Sequence, residues 1–583
     1  AYSSRSCRCC RSPRPLASPL SMPRQRRSPL AFATALLLVS CANAAAPIGS
    51  AALALEGGGF RAQSADTGVL AGLLAFVGKQ RGIAAPTFES TGLLDRFPTV
   101  STNSGSSWFF SSLAYSPRFK SLLEAMAARP TQSAAIYKAG YTNSWLAATN
   151  VDSTHFNLWE KAARAIAALL GTGDEDSIYI ITYFLATGFD WGHFVDVLLN
   201  STATLSRNAT LGMTPTGSWA KGKVWISCHS VITPGTDGHE SKLYQGVLGY
   251  PRVTYTTQSS SASFPDYVPA AFSVRLGDGL TSFAPYRYVA PSAVATLQSF
   301  EYRGVVVPIV DEHKASYGQA GAILSGDTFR TNVGMQPIAR VVSASSAFMG
   351  CAALFGPLAS ELQALISGDV TPWISSSADG RSFDNADALV QALKSGVSQG
   401  AVNALASTGV HGVIDGGYTD NSGVANALVA GATEITVVLN SGAAESLSYL
   451  FQGGPPGGSP FQPKSLFPVF ATPNASAANV AFSAFESFAL PLPTRWLKKF
   501  SVGTLKATTA KNAAWGLEAG RNVSLYIVSL SSSLDIGEFE NLAHYDQLAE
   551  ELILTILSEQ NKPLVQSTLL PMFLGRSAVQ LRN

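Results

Sequence analysis

Short apolar runs recur along the chain, each giving way to a turn and then to apolar positions at helical spacing. Ala51–Glu56 (AALALE) has the make-up of a buried strand, and beyond Gly57, Gly58 and Gly59 the residues Val69, Leu70, Leu73, Leu74 and Val77 share one helical face. Pro98–Thr102 predicts a short strand that runs through Asn103, Ser104 and Gly105 into an apolar helix around Trp108, Phe109, Phe110 and Leu113. Further strands are expected at Lys223–Ile232, Gly304–Val310, Ala339–Ser343, Val410–Ile414, Glu434–Asn440 and Asn522–Leu530. Strands alternating with helices predict an α/β fold, with a mostly parallel central sheet covered by helices on both faces.

The long interval 116–222 interrupts this alternation. Its apolar helical stretches, Ala162–Leu170, Ile178–Phe184 and Phe194–Leu199, suggest an inserted cap or lid. Gln452–Pro468 and Ser375–Asp387 have the Gly/Pro and polar character of surface loops. Leu542–Ile556 predicts an amphipathic docking helix.

The amino terminus has another pattern. Ala1–Ser21 mixes Ser, Arg, Pro and Cys without apolar period, as a translated leader or an incomplete start would. From Met22, the basic residues Arg24, Arg26 and Arg27, the apolar run Leu30–Val39 and the small-residue triplet Ala42, Asn43 and Ala44 follow in the order of a signal peptide over 22–44. That run is shorter than the roughly 20 residues a spanning helix needs. Export is the expectation; a lipoprotein signal ending at Cys41 is the alternative. Cleavage would leave Cys228 and Cys351, free to pair or to remain thiols, and the sequons at Asn200, Asn208, Asn474 and Asn522 suit an exported glycoprotein.

Across 583 residues the formal net charge is +2, which supplies no basic field for nucleic acid.

Three segments carry candidate chemistry, each at the carboxyl end of an expected strand, where open α/β sheets bind ligands. In Glu56-Gly57-Gly58-Gly59-Phe60-Arg61-Ala62, consecutive glycines bare backbone N–H groups at a helix start, as an oxyanion site requires. A dinucleotide fingerprint would need a second strand ending in an acidic residue, which is missing; a purely structural tight turn stays open. In Thr102-Asn103-Ser104-Gly105-Ser106-Ser107-Trp108, a serine on a sharp strand-to-helix turn suits a nucleophile, or else Ser104 or Ser106 caps the helix. In Val413-Ile414-Asp415-Gly416-Gly417, an aspartate ending a strand could serve as general base to that serine, or form a turn. Asp420 is expected to cap the next helix.

Together these segments resemble the lysophospholipase catalytic domain shared by secreted phospholipase B and cytosolic phospholipase A2. That family usually reads Gly-Leu-Ser-Gly-Gly/Ser-x-Trp at its nucleophile, matched here with Ser104 as the serine. Ser343–Gly350 (SASSAFMG) is similar to a serine-rich stretch that precedes the family's aspartate segment. The resemblance implies a three-layer α/β/α patatin-like fold over 45–583 and a Ser–Asp dyad of Ser104 and Asp415, without histidine. It also implies an oxyanion hole at Gly58, Gly59 and Gly105, with Arg61 near the substrate phosphate unless it pairs with Glu56 or Asp66. The implied substrates are phospholipids or lysophospholipids met at a membrane or micelle surface, which the apolar residues Ile178, Tyr179, Ile181 and Phe184 would touch peripherally. No metal or other cofactor is implied.

The chain departs from the family pattern at Thr102 and Asn103, which replace Gly and Leu, and at Glu56, where a small residue is common. A β-branched Thr102 would be expected to crowd the turn. The rival arrangement is a conventional α/β-hydrolase with Ser104, Asp415 and His544 in that order. Two further readings stay open: a catalytically silent lipid-binding protein on the same scaffold, and an acyltransferase using the same acyl-enzyme.

Overall fold

The parallel centre of the sheet is built from the apolar runs the sequence displays. The computed structural model describes residues 50–149, 191–232, 252–256, 267–277, 296–302, 305–308, 337–346, 371–374, 410–452, 466–472, 475–491, 493–512, 515, 517–534 and 539–575. β1 (Ala51–Leu55) is buried along its whole length, as a strand covered on both faces must be, and leads through the glycine turn into α1 (Gly59–Arg81). β2 (Thr99–Thr102) leads through Ser104 into α2 (Gly105–Tyr115). α3 (Trp191–Ala203) precedes β3 (Val224–Ile232) and β4 (Tyr267–Arg275); α4 (Ile338–Ser345), β5 (Thr371–Ile374) and β6 (Val410–Asp415) follow. The remaining elements are α5 (Val424–Val429), β7 (Glu434–Leu439), β8 (Phe470–Thr472), β9 (Glu486–Ser487), β10 (Leu497–Thr509), β11 (Asn522–Ser532) and α6 (Tyr545–Leu557).

These strands form one eleven-stranded sheet in the order β8-β10-β11-β7-β1-β2-β3-β6-β5, with β9 added on β10 and β4 on β3. β11, β7, β1, β2 and β3 run parallel, and the pairings outside them are antiparallel. Stepping from β1 to β2 and from β7 to β11 moves in opposite directions across the sheet. Right-handed crossovers therefore put α1 on one face and the helices after β7 on the other. Residues 252–256, 296–302 and 305–308 pair as a separate three-stranded sheet.

One pairing decides where the chemistry falls. β4 pairs with β3 along all of Val224–Ile232, so β2 and β6 must share the opposite edge of β3. β2 takes Val224–Ser227 in parallel and β6 takes His229–Val231 antiparallel, so the two strands approach end to end. Thr102 stands opposite Ser227 and Asp415 opposite His229, a separation of two residues or about 7 Å along β3. Segments about three hundred positions apart in sequence thus end against each other.

Several expectations need correction or lie out of view. Ala339–Ser343 is not a strand but part of α4: Ile338, Val341, Val342 and Ser345 recur at helical spacing and are buried together. At the end of the expected loop Gln452–Pro468, Leu466 and Phe467 are buried, with Phe467 packed edge-on to Tyr449. Leu497–Thr509 forms a long strand that its Lys- and Thr-rich pattern concealed. Within the interval expected as a cap, Phe119, Leu123 and Met126 and the residues Phe194, Val195 and Leu198 join the same core as β1 and α1. Ala162–Leu170, Ile178–Phe184, Ser375–Asp387, Cys351 and the first 49 residues lie outside the described residues. α6 docks against α1 through Leu548, Ala549, Leu552, Ile553 and Ile556, all buried. Among the described residues, no helix is long and apolar enough to cross a membrane.

Candidate active site

Ser104 occupies a backbone conformation that L-residues avoid, φ 49° and ψ −123°. Such a conformation costs on the order of 1–3 kcal/mol and persists only where its surroundings enforce it. Here they do. The amide of Asn103 donates to the Leu55 carbonyl (3.3 Å) and that of Ser104 to Ser345 Oγ (3.2 Å), while the Ser106 and Ser107 amides donate to the carbonyls of Asn103 and Ser104 (3.0 and 2.8 Å). Thr102 does not crowd the turn: its Oγ1 accepts from Trp225 Nε1 and bonds Ser107 Oγ, both at 2.9 Å. Ser104 occupies the N-cap position of α2 but makes no side-chain cap bond, so its hydroxyl is available for other work. It is 8% exposed.

Asp415 ends β6 beside the turn that carries Ser104. The side chains of Ser104 and Asn103 act on its carboxyl in favour of the charged form, and its Oδ1 accepts from the Gly417 amide at 2.7 Å. Burial nevertheless raises Asp415 to about 7, the range in which a carboxylate is a useful general base at neutral pH.

Two helix starts converge on the pair. The first N–H groups of a helix have no intrahelical acceptor, and those of α1 and α2 begin at Gly59 and Gly105. The N-cap of α1, Gly58, has φ 142°, which an L side chain rarely adopts. A Cβ on Gly105 would lie 2.0 Å from the carbonyl oxygen of Gly59, so the helix starts are as close as backbone allows. Gly105→Ala should therefore spread them, destabilise the protein by about 1–3 kcal/mol and lower any esterase activity about 100-fold; thermal unfolding and turnover measure the two effects.

Buried polar residues hold the glycine turn. Glu56 Oε2 accepts from the amides of Asn440 (2.5 Å) and Ser441 (3.1 Å), and Oε1 accepts from Ser446 Oγ at 2.5 Å. Burial still raises the Glu56 carboxyl, opposed by these bonds and by the Arg61 charge. Ser106 Oγ lies 2.6 Å from the Glu56 carbonyl and 2.5 Å from Asp66 Oδ2. Burial pushes the Asp66 carboxyl well above the usual carboxylate range, opposed by its bond with Ser106.

Arg61 is half-buried beside this turn. Its Nε donates to Asn440 Oδ1 (2.8 Å) and its Nη2 to Ser441 Oγ (2.9 Å), the same two residues whose amides bind Glu56. These bonds commit part of the guanidinium to the turn rather than to a ligand. Asp420, expected as the helix cap, lies four residues before α5, whose N-cap is Gly423, and reaches that helix start through its Oδ2, which accepts from the Ala425 amide at 2.7 Å.

Among the described residues, no histidine acts on the Asp415 carboxyl. His544 precedes α6 with its ring stacked on Trp496 at 4.6 Å, and the groups acting on Asp415 include no imidazole. His229 stands opposite Asp415 in the ladder, yet its ring nitrogens face the carbonyls of Ser227 (2.7 Å) and Val341 (2.9 Å), and burial lowers it to about 4. His544→Ala is expected to leave ester hydrolysis unchanged while removing a ring stack worth about 1 kcal/mol of stability, which activity and unfolding assays on one preparation would separate.

Sequence reasoning passes over Asn421, Ser345 and His229 and treats Asn103 only as a departure. Ser345 lies in the serine-rich stretch, but its role in fixing the Ser104 amide depends on α4 packing against β3. A strained, buried serine and a buried aspartate thus stand at the adjoining ends of β2 and β6, beside two converging helix starts. Compared with known proteins, the chain matches no protein-family model and no curated protein. Among solved structures it is similar to human GIVD cytosolic phospholipase A2, at 11% identity and a TM-score of 0.28 over 92% of this chain. The chain spans 63% of that protein's length, and the likeness is too slight to add to what the geometry shows.

Proposed function

We propose that the chain is a serine ester hydrolase that removes fatty-acyl groups from glycerophospholipids or lysophospholipids. The observation that carries the reading is the placing of the strained Ser104 and the buried, raised carboxyl of Asp415 at the adjoining ends of β2 and β6, beside two converging helix starts. Asp415 takes the hydroxyl proton as Ser104 Oγ bonds to the ester carbonyl carbon, and the carbonyl oxygen becomes an oxyanion facing the N–H groups of Gly58, Gly59 and Gly105. When the intermediate collapses, the ester C–O bond breaks and the leaving alkoxide takes the proton from Asp415. Water then gives its proton to Asp415 and attacks the acyl-enzyme; the fatty acid leaves and the proton returns to Ser104.

An acyl chain as substrate is supported by the aromatic wall beside the turn. Half-buried Phe60 stacks on Trp145 at 4.6 Å and meets Trp108 edge-on at 5.2 Å, Trp108 lying four residues beyond the nucleophile. Arg61, with two nitrogens held by the turn, is assigned to the head-group phosphate through the remainder of its donor fork. Export through cleavage near Ala44 belongs to the same reading and is tested by amino-terminal sequencing of protein recovered outside an expressing cell. Mass spectrometry of products from a mixed lipid extract, comparing wild type with Ser104→Ala, tests the activity. Free fatty acid appearing only with wild type is expected; an unchanged lipid profile would leave a binding protein, and acyl groups moved to another alcohol would make it a transferase.

A further inference from the structure

Two of the residues at which this chain departs from the lysophospholipase pattern, Glu56 and Asn103, are the ends of one hydrogen-bonded strap. Glu56 Oε1 accepts from Asn421 Nδ2 at 3.4 Å, and Asn421 Oδ1 accepts from Asn103 Nδ2 at 2.9 Å. The Asn103 side chain in turn acts on the Asp415 carboxyl in favour of its charged form. The convergence is tight: a Cβ on Gly417 would lie 3.1 Å from Asp415 Oδ1, 3.3 Å from Asn421 Oδ1 and 3.6 Å from Asn103 Nδ2.

The bond to Asn421 fixes which way the Asn103 amide points, because Asn421 turns its own nitrogen to Glu56 and its oxygen to Asn103. The flipped Asn103 amide would set oxygen against Asn421 Oδ1. Asn103 is fully buried and its own oxygen has no hydrogen-bond partner, a penalty that the leucine usual at this position would not carry. What maintains an amide here is what its nitrogen does. A leucine could offer Asp415 no donor.

We propose that Asn103 is a positioning residue for the base, one N–H directed at the Asp415 carboxylate and the other tied to Asn421, so that the carboxylate keeps an oxygen turned to Ser104. Glu56 anchors the far end of the strap and thereby couples the base to the glycine turn. The inference rests on the Ser–Asp reading above. Because the Asn103 donor favours the charged carboxylate, losing it makes Asp415 harder to ionise.

The test is the pH profile of kcat/KM for wild type and Asn103→Leu, with Ser104→Ala and Asp415→Asn alongside. Asn103→Leu should move the acid limb upward by about one pH unit and lower the rate at pH 7 about fivefold, with recovery at alkaline pH as the base ionises. A merely structural role would lower the rate without moving the limb. If Asn103→Leu does not fold, Asn103→Ala removes the amide without adding bulk and carries the same prediction. An unmoved limb in a folded variant, with Ser104→Ala and Asp415→Asn inactive, would overturn the strap while leaving the dyad intact. Wild-type activity that survives in Ser104→Ala or Asp415→Asn would overturn both.

Discussion

Ser104→Ala is expected to abolish hydrolysis of acyl esters, with a loss of about 10⁴-fold or more, while leaving a folded protein. Removing the hydroxyl takes away the atom that forms the acyl-enzyme, and neighbouring hydroxyls cannot substitute for it. Ser106 is engaged by Asp66 and the Glu56 carbonyl, and Ser107 by Thr102 and Ser345. The elbow itself is held by backbone amides, Ser345 and Trp225 rather than by the Ser104 side chain, so the unfolding temperature should change little. Fatty-acid release and thermal unfolding measured on the same samples distinguish loss of chemistry from loss of structure.

Asp415→Asn should cost about 10²–10⁴-fold in kcat/KM. Asparagine has the shape to keep the bond from the Gly417 amide to one oxygen, but the group then turned to Ser104 is a donor and cannot take a proton. The pH dependence follows from the same residue. Because burial raises Asp415 to about 7, the carboxyl is protonated and inert as a base below that pH, and the rate should fall tenfold per pH unit there. Above about pH 7 the carboxylate is ionised and the rate should level off. An acid limb near pH 4 would mean that the base is a solvated carboxylate elsewhere.

The sheet centre is legible in the sequence because its strands are short runs of largely apolar, β-branched or small residues set between turns. Ala51–Leu55, Val224–Ile232 and Glu434–Leu439 differ from their expected bounds by no more than one residue. α4 misleads because three β-branched residues, Ile338, Val341 and Val342, imitate a strand when spacing is ignored. The strand Leu497–Thr509 escapes notice because the exposed Lys498, Lys499, Thr504 and Lys506 interrupt its apolar positions. At the site, the glycine turn, Ser104 and Asp415 are visible as motifs at strand ends. Their meeting is not, since it depends on β2 and β6 sharing one edge of β3, a register that local sequence does not encode. The strap of Glu56, Asn421 and Asn103 is hidden for the same reason: single polar residues near turns look alike until the fold joins them.

Activation of Ser104 by Asp415 is the central claim. Labelling of the intact protein with a long-chain fluorophosphonate, followed over pH and mapped by peptide mass spectrometry, tests it whichever lipid is the substrate. The expected result is one adduct, on Ser104, forming with an acid limb near pH 7 and slowed at least about 100-fold in Asp415→Asn. An adduct on another residue, or equal labelling rates for Asp415→Asn and wild type, would contradict it.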